Sequence, residues 1–144
     1  MKLSTLTALF LLGTMFMGCS PKAQTADTAK SGQTSVQANV IVLTSPADFK
    51  KQVEGKKVQL VDIRTPQEYN QGHMEGALNY NYYKPSFMQQ MSSLDKSKPV
   101  YIYCRSGNRT GSAAKKLKRA GFTKVYDLNG GVNNWMRSGF KLMR

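Results

Sequence analysis

Tyr101-Ile102-Tyr103-Cys104-Arg105-Ser106-Gly107-Asn108-Arg109-Thr110-Gly111-Ser112 joins three kinds of local pattern in twelve residues. Val100 to Tyr103 is a β-type run of branched and aromatic residues. It ends at a cysteine, a polar loop with one glycine follows, and the pattern from Thr110 to Ala120 is helical. A thiol placed between a strand end and a helix start sits where unpaired backbone N–H groups converge and the helix dipole is positive. That field favours thiolate over thiol, and thiolate is the nucleophilic form. The stretch predicts a nucleophile loop at the carboxyl end of a strand.

The same strand-then-helix grammar recurs on both sides. Val40 to Leu43 reads as a first strand, and Ser45 with Pro46 as a helix start whose apolar face carries Phe49 and Val53. Gly55 stops that helix. Val58 to Ile63 is a continuous apolar run broken by Asp62, as expected of a central parallel strand. Pro66 to Gly72 is a short helix, Ala77 to Tyr80 a short strand, and Pro85 to Leu94 a helix with Phe87, Met88 and Met91 inward. Lys124 to Leu128 is a last strand and Val132 to Met136 a closing helix, with Trp135 expected in the core. The pattern predicts an α/β fold: one open, mostly parallel sheet flanked by helices over residues 39–144. Ligands of such sheets bind beyond the carboxyl ends of the strands, where Cys104 falls.

Three blocks carry a resemblance. Cys104 to Arg109 resembles the six-residue active loop of the rhodanese family of sulfurtransferases. Leu60-Val61-Asp62-Ile63-Arg64-Thr65-Pro66-Gln67-Glu68-Tyr69 with Gly72-His73-Met74-Glu75-Gly76-Ala77-Leu78-Asn79 is similar to that family's stretch of the form VDVRxPxEYxxGHIxGAxN. Gly121 to Gly131 followed by Trp135 resembles its closing block. One departure is Glu75, where the family often has proline.

The resemblance implies a sulfurtransferase in which Cys104 takes sulfur from a small anionic donor such as thiosulfate and passes it, as a persulfide, to a thiol or cyanide acceptor. Physically this needs a thiolate, a cradle for anionic sulfur and a positive pocket. Cys104 supplies the first. The backbone N–H groups across Arg105, Ser106, Gly107, Asn108 and Arg109 supply the second, with Gly107 allowing tight curvature. Arg105 and Arg109 supply the third, because a guanidinium fork matches sulfonate-type oxygens. Asp62 and Arg64 are expected to support the loop, with Glu68 pairing to Arg64. His73 falls in a turn that looks structural in the family. Tyr80, Tyr82 and Tyr83 read either as a wall or as an exposed patch.

No cofactor is implied, and one histidine with one mature cysteine does not make a usual zinc set. Cysteine phosphatases and related arsenate reductases use a loop one residue longer before the arginine, and Thr110 stands at that position here. A second class is a carrier or partner-binding module that accepts sulfur without turnover.

At 144 residues the chain holds one domain at most. Residues 1–19 combine Lys2, an apolar run from Leu3 to Phe16 and a Gly18-Cys19 junction. The run is short for a bilayer span and predicts a signal peptide. Its junction resembles a bacterial lipoprotein signal, which implies a lipid on Cys19, although Phe16 stands where leucine is usual. An ordinary secretory signal that happens to contain a cysteine stays open. Residues 20–38, rich in Ser, Thr, Ala, Gln and Lys, predict a flexible tether with a span of roughly 25 Å as a coil. The expected location is a bacterial membrane, on its periplasmic or surface face. The chain has two cysteines, so lipidation of Cys19 leaves Cys104 as a solitary thiol. A Cys19–Cys104 disulfide would instead silence the site.

Lys and Arg number 21 against 8 Asp and Glu, a net charge of +13. Export and the lack of aromatic–basic alternation argue against nucleic acid as a partner. The excess reads as a solvated basic surface that can also meet an anionic membrane or steer small anions. A monomer is expected.

Overall fold

The computed structural model describes residues 40–144; the expected signal of residues 1–19 and tether of residues 20–38 lie outside the described residues. Ten elements follow one another in strict alternation. They are β1 (Val40–Thr44), α1 (Pro46–Val53), β2 (Gln59–Asp62), α2 (Pro66–Asn70), β3 (Leu78–Asn79), α3 (Phe87–Ser92), β4 (Val100–Tyr103), α4 (Asn108–Arg119), β5 (Lys124–Leu128) and α5 (Gly131–Arg137). The five strands form one sheet in the order β1-β5-β4-β2-β3, and every pairing is parallel. The expected α/β architecture is the observed one, with element ends displaced by one or two residues.

Local chemistry starts the helices. Ser45 caps α1 by accepting the Asp48 N–H at 3.2 Å, and Pro46 opens the first turn with its φ already set. Thr65 and Glu68 form a reciprocal capping box around Pro66 at the start of α2. α4 and α5 begin differently: their cap positions are Gly107 and Gly130, both in the left-handed region.

β4 is buried along its whole length, and alternation sends its side chains to two cores. Val100 and Ile102 face a cluster with Val61, Ile63, Phe87, Met91, Ala113, Leu117 and Val125, which carries α3 and α4. Tyr101 and Tyr103 face Phe49, Val53, Leu60, Leu128 and Trp135, which carries α1 and α5. Trp135 is buried, meets Phe49 edge-on at 6.5 Å, and donates its indole N–H to the Lys141 carbonyl at 3.1 Å. Both faces of the central strand are thus covered, and its carboxyl end delivers Cys104. No helix among the described residues is long and apolar enough to cross a membrane.

Candidate active site

Cys104 follows the last residue of β4 and has no exposed surface. The chain then turns through Arg105, Ser106 and Gly107 into α4. Gly107 adopts φ +93°, which a side chain would strain, and this turn aims its N–H at the cysteine. The Gly107 N–H donates to Cys104 Sγ at 3.2 Å. Thr110, one turn into α4, is wholly buried; its hydroxyl donates to the Gly107 carbonyl at 2.9 Å and lies 3.8 Å from Sγ. The sulfur therefore rests at the amino end of a twelve-residue helix with one backbone donor on it and a hydroxyl beside it.

The loop's outer side chains divide sharply. Arg105, Ser106 and Asn108 are exposed. Arg109 is not: its guanidinium makes a two-pronged pair with Glu68, at 2.8 and 2.7 Å, and lies over the Tyr83 ring at 5.6 Å from the centroid. That pair holds the Glu68 carboxyl down at about 2 against an ordinary 4.5, chiefly through the Arg109 hydrogen bonds. It also raises Arg109 above its usual range. The expected Glu68–Arg64 pairing is therefore corrected. Arg64 cannot serve Glu68, because its fork is already filled by Asp62, at 2.9 and 2.5 Å, and by the Gly72 carbonyl, at 2.7 Å. The arginine fork expected at position 109 for an incoming anion is likewise engaged within the protein.

The Asp62–Arg64 pair is buried at the end of β2. Asp62 also accepts the Arg64 N–H at 2.9 Å, Asn79 donates to the carbonyls of Asp62 and Arg64, and the Arg64 guanidinium lies 5.7 Å from the Tyr103 ring centroid. The network thus reaches the residue just before Cys104 through Tyr103, and the Gly72 turn through its carbonyl. His73 sits in that turn. Its ring stacks on Tyr69 at 3.8 Å, and its backbone exchanges hydrogen bonds with Met143. The tyrosines split: Tyr80 and Tyr82 pack against the core carrying α4, whereas Tyr83 is exposed.

The loop's far side is held by α5. The N–H groups of Val132 and Asn133 donate to the carbonyls of Cys104 and Arg105 at 2.9 and 3.0 Å. Gly131 makes that approach close: a Cβ there would lie 2.3 Å from the Cys104 carbonyl oxygen. Sequence reasoning missed Thr110, the Arg109–Glu68 pair and this brace. The Thr65-x-x-Glu68 capping box was a readable signal that Glu68 would stand at the start of α2; the rest depends on contacts between distant segments. A last buried group is Asp127 on β5, whose Oδ1 has no hydrogen-bond partner among the described residues.

A cysteine seated at a helix amino end, on an open parallel sheet braced by a Gly-Gly turn, defines a thiol site of the α/β class. The Rhodanese family, described as the rhodanese-like domain, matches residues 45–138, and the chain belongs to it. The uncharacterized protein YqhL of Bacillus subtilis is 39% identical over 80 residues, which cover 56% of this chain and 62% of that protein, less than two thirds of its length. Thiosulfate sulfurtransferase GlpE of Shewanella oneidensis is 37% identical over 82 residues, 57% of this chain and 79% of that one. The crystal structure of the Alr3790 protein of Anabaena superposes with a TM-score of 0.62 at 28% identity, covering 69% of this chain and 81% of that one.

Proposed function

We propose that the chain is a sulfurtransferase that carries sulfane sulfur on Cys104. The observation that supports this most directly is the sulfur's position, with the Gly107 N–H aimed at it at the start of α4. The Cys104 thiolate attacks the outer sulfur of a thiosulfate-like donor. A new S–S bond forms, the donor's S–S bond breaks, and sulfite leaves with the electron pair. The anionic outer sulfur of the resulting persulfide is stabilised by backbone N–H groups of the loop and by the helix dipole. A thiol or cyanide acceptor, as its anion, then attacks that sulfur and releases Cys104 as thiolate.

Roles divide as the contacts do. Arg105 is the loop cation open to an anionic donor, flanked by Ser106 and Asn108. Arg109, held by Glu68, fixes the α4 end of the loop, and Asp62 with Arg64 fixes the strand ends beneath it. The name carried by the Shewanella relative agrees with a thiosulfate-type donor. In the same reading, residues 1–19 are a lipoprotein-type signal, Cys19 is lipidated, and residues 20–38 tether a monomeric domain at the periplasmic or surface face of a bacterial membrane.

The test is thiosulfate:cyanide turnover by the full chain beside Cys104→Ser, with mass spectrometry of the thiosulfate-treated proteins. Turnover and one added sulfur atom in the parent, both lost in the variant, are expected. Sulfur uptake without turnover identifies a carrier awaiting its own acceptor, and no uptake from any donor overturns both readings. Labelling with a radioactive fatty acid, lost in Cys19→Ala, tests the anchor.

A further inference from the structure

Charge is unevenly divided between the two ends of the sheet. Every strand pairing is parallel, so each helix runs back and its last turn lies at the amino end of the strands, opposite Cys104. The acidic first-turn residues Asp48 and Glu68 stand at the Cys104 end, whereas the last turns of α1 and α4 carry basic residues. Helix dipoles account for those last-turn cations. They do not account for Lys57, Lys96 and Lys124, which stand in the connections into β2 and β4 and at the first position of β5. Among the described residues none of the three joins an ion pair. The carboxylates of this end are engaged or remote. Glu54 pairs with Lys50, Asp95 pairs with Lys98 at 3.2 Å, and Glu75 precedes β3 at the far edge of the sheet.

Hydrogen bonds join these lysines into one surface. Gln59, at the start of β2, accepts the Asp95 N–H at 2.7 Å and donates to the Asp95 carbonyl at 3.0 Å, which ties the Lys57 connection to the Lys96 connection. The Thr123 N–H donates to the Lys96 carbonyl at 3.0 Å and ties that connection to the start of β5. Val40 donates to the Thr123 carbonyl at 3.0 Å and lies in register with Lys124. Val40 is the first residue of β1, so the preceding chain joins the domain beside this cluster. We propose that this amino-end face docks on an anionic lipid surface and holds Cys104 on the side away from the bilayer. Lysine point charges spread over separate connections suit a charged headgroup layer. They suit nucleic acid less, because the rings beneath Lys96 and Lys124 are not free to stack on a base: Phe122 is buried and Tyr126 is stacked on Tyr101. Cys104 lies at the other end of β4, about 13 Å along the strand from Val100, so docking leaves its loop open to soluble donors and acceptors. The proposal rests on the membrane-tether reading for its choice of a bilayer over a soluble polyanion.

The experiment is trace acetylation of the full chain, read lysine by lysine by mass spectrometry, on phosphatidylcholine vesicles with and without about one third phosphatidylglycerol. The apolar run of residues 1–19 adds to binding on both vesicles, so the difference between them reads charge. Lys57, Lys96 and Lys124 are expected to react at least about threefold more slowly on the anionic vesicles alone. Lys84, exposed beside Tyr83 at the Cys104 end, is expected to keep its rate. The triple variant Lys57→Gln, Lys96→Gln, Lys124→Gln should bind the anionic vesicles at least about tenfold more weakly and take up sulfur on Cys104 like the parent. Equal slowing at Lys84, or no slowing anywhere, overturns the proposal. Slowing of the three lysines by heparin but not by vesicles makes a soluble polyanion the occupant and also overturns it. If the fatty-acid labelling described above fails while the footprint stands, the anchor is refuted and the docking face survives. Labelling with a uniform footprint refutes the face and leaves the anchor.

Discussion

Two carboxyl groups near the loop are driven in opposite directions by their surroundings, and stability should report both. Glu68 is lowered from 4.5 to about 2 by Arg109, so its ion pair stabilises the fold fully above the ordinary carboxylate range and fades as pH falls towards 2. Glu68→Gln is expected to cost about 2 kcal/mol at neutral pH, as for a charge-assisted hydrogen-bonded pair, with the difference from the parent closing between pH 4.5 and 2 in urea melts. A deficit that is unchanged at the acid end would show that the pair contributes nothing through charge. Asp127 is raised from 3.8 to about 6 by burial, so the fold favours its protonated form and loses stability as pH rises through that interval. Asp127→Asn should therefore match the parent near pH 4 and exceed it above pH 6 by as much as about 3 kcal/mol. Equal thermal melts of the two proteins at pH 8 would contradict this.

At the scale of elements, the loop is gripped from two sides, by α4 behind it and by α5 across it. The grip of α5 depends on Gly131, which takes φ +58° and brings helix N–H groups onto the Cys104 and Arg105 carbonyls. Gly131→Ala must displace backbone rather than a flexible side-chain tip. We expect a loss of more than about 2 kcal/mol and sulfur loading slowed at least about tenfold, as befits a misplaced reacting group. Gly55→Ala is the control. It shares a positive φ of 67° but has nothing within 4 Å, so it should cost about 1 kcal/mol of backbone strain and leave loading unchanged. Equal loading in the two variants would remove α5 from the site. These contacts also mark the limit of what the sequence could say. Strand and helix positions were legible because each carries its own local signal, such as Ser45-Pro46, Thr65-Pro66 with Glu68, or the apolar run ending at Cys104. The partner of Glu68 was not, because Arg64 lies four residues away and Arg109 forty-one. Only the folded sheet shows that Asp62 has already filled the nearer fork. Likewise, Val132 to Met136 announces a helix, but nothing local announces that its start reaches back to Cys104.

For the whole molecule, the question is what its charge does at the loop. With 21 basic and 8 acidic residues the chain is strongly positive, and two acidic groups that flank the loop are already engaged. Asp62 is paired with Arg64 and Glu68 with Arg109, so neither opposes an approaching anion with a free charge. Arg105 stays exposed at the loop. A dianionic donor should therefore be drawn in by the summed field as well as by that one side chain, and such attraction is screened by salt. Sulfur loading from thiosulfate is expected to slow at least about tenfold as ionic strength rises from about 0.01 to about 1 M. Alkylation of the same thiol by neutral iodoacetamide should change less than about twofold, since it feels no long-range field. Arg105→Ala should lower loading at low salt and flatten its salt dependence without altering alkylation. If the neutral and anionic reagents respond alike to salt, the field is irrelevant to the reaction, and the basic excess belongs to another surface, such as one facing an anionic membrane. If they differ while Arg105→Ala behaves as the parent, steering comes from the whole surface and Arg105 has no special place in it.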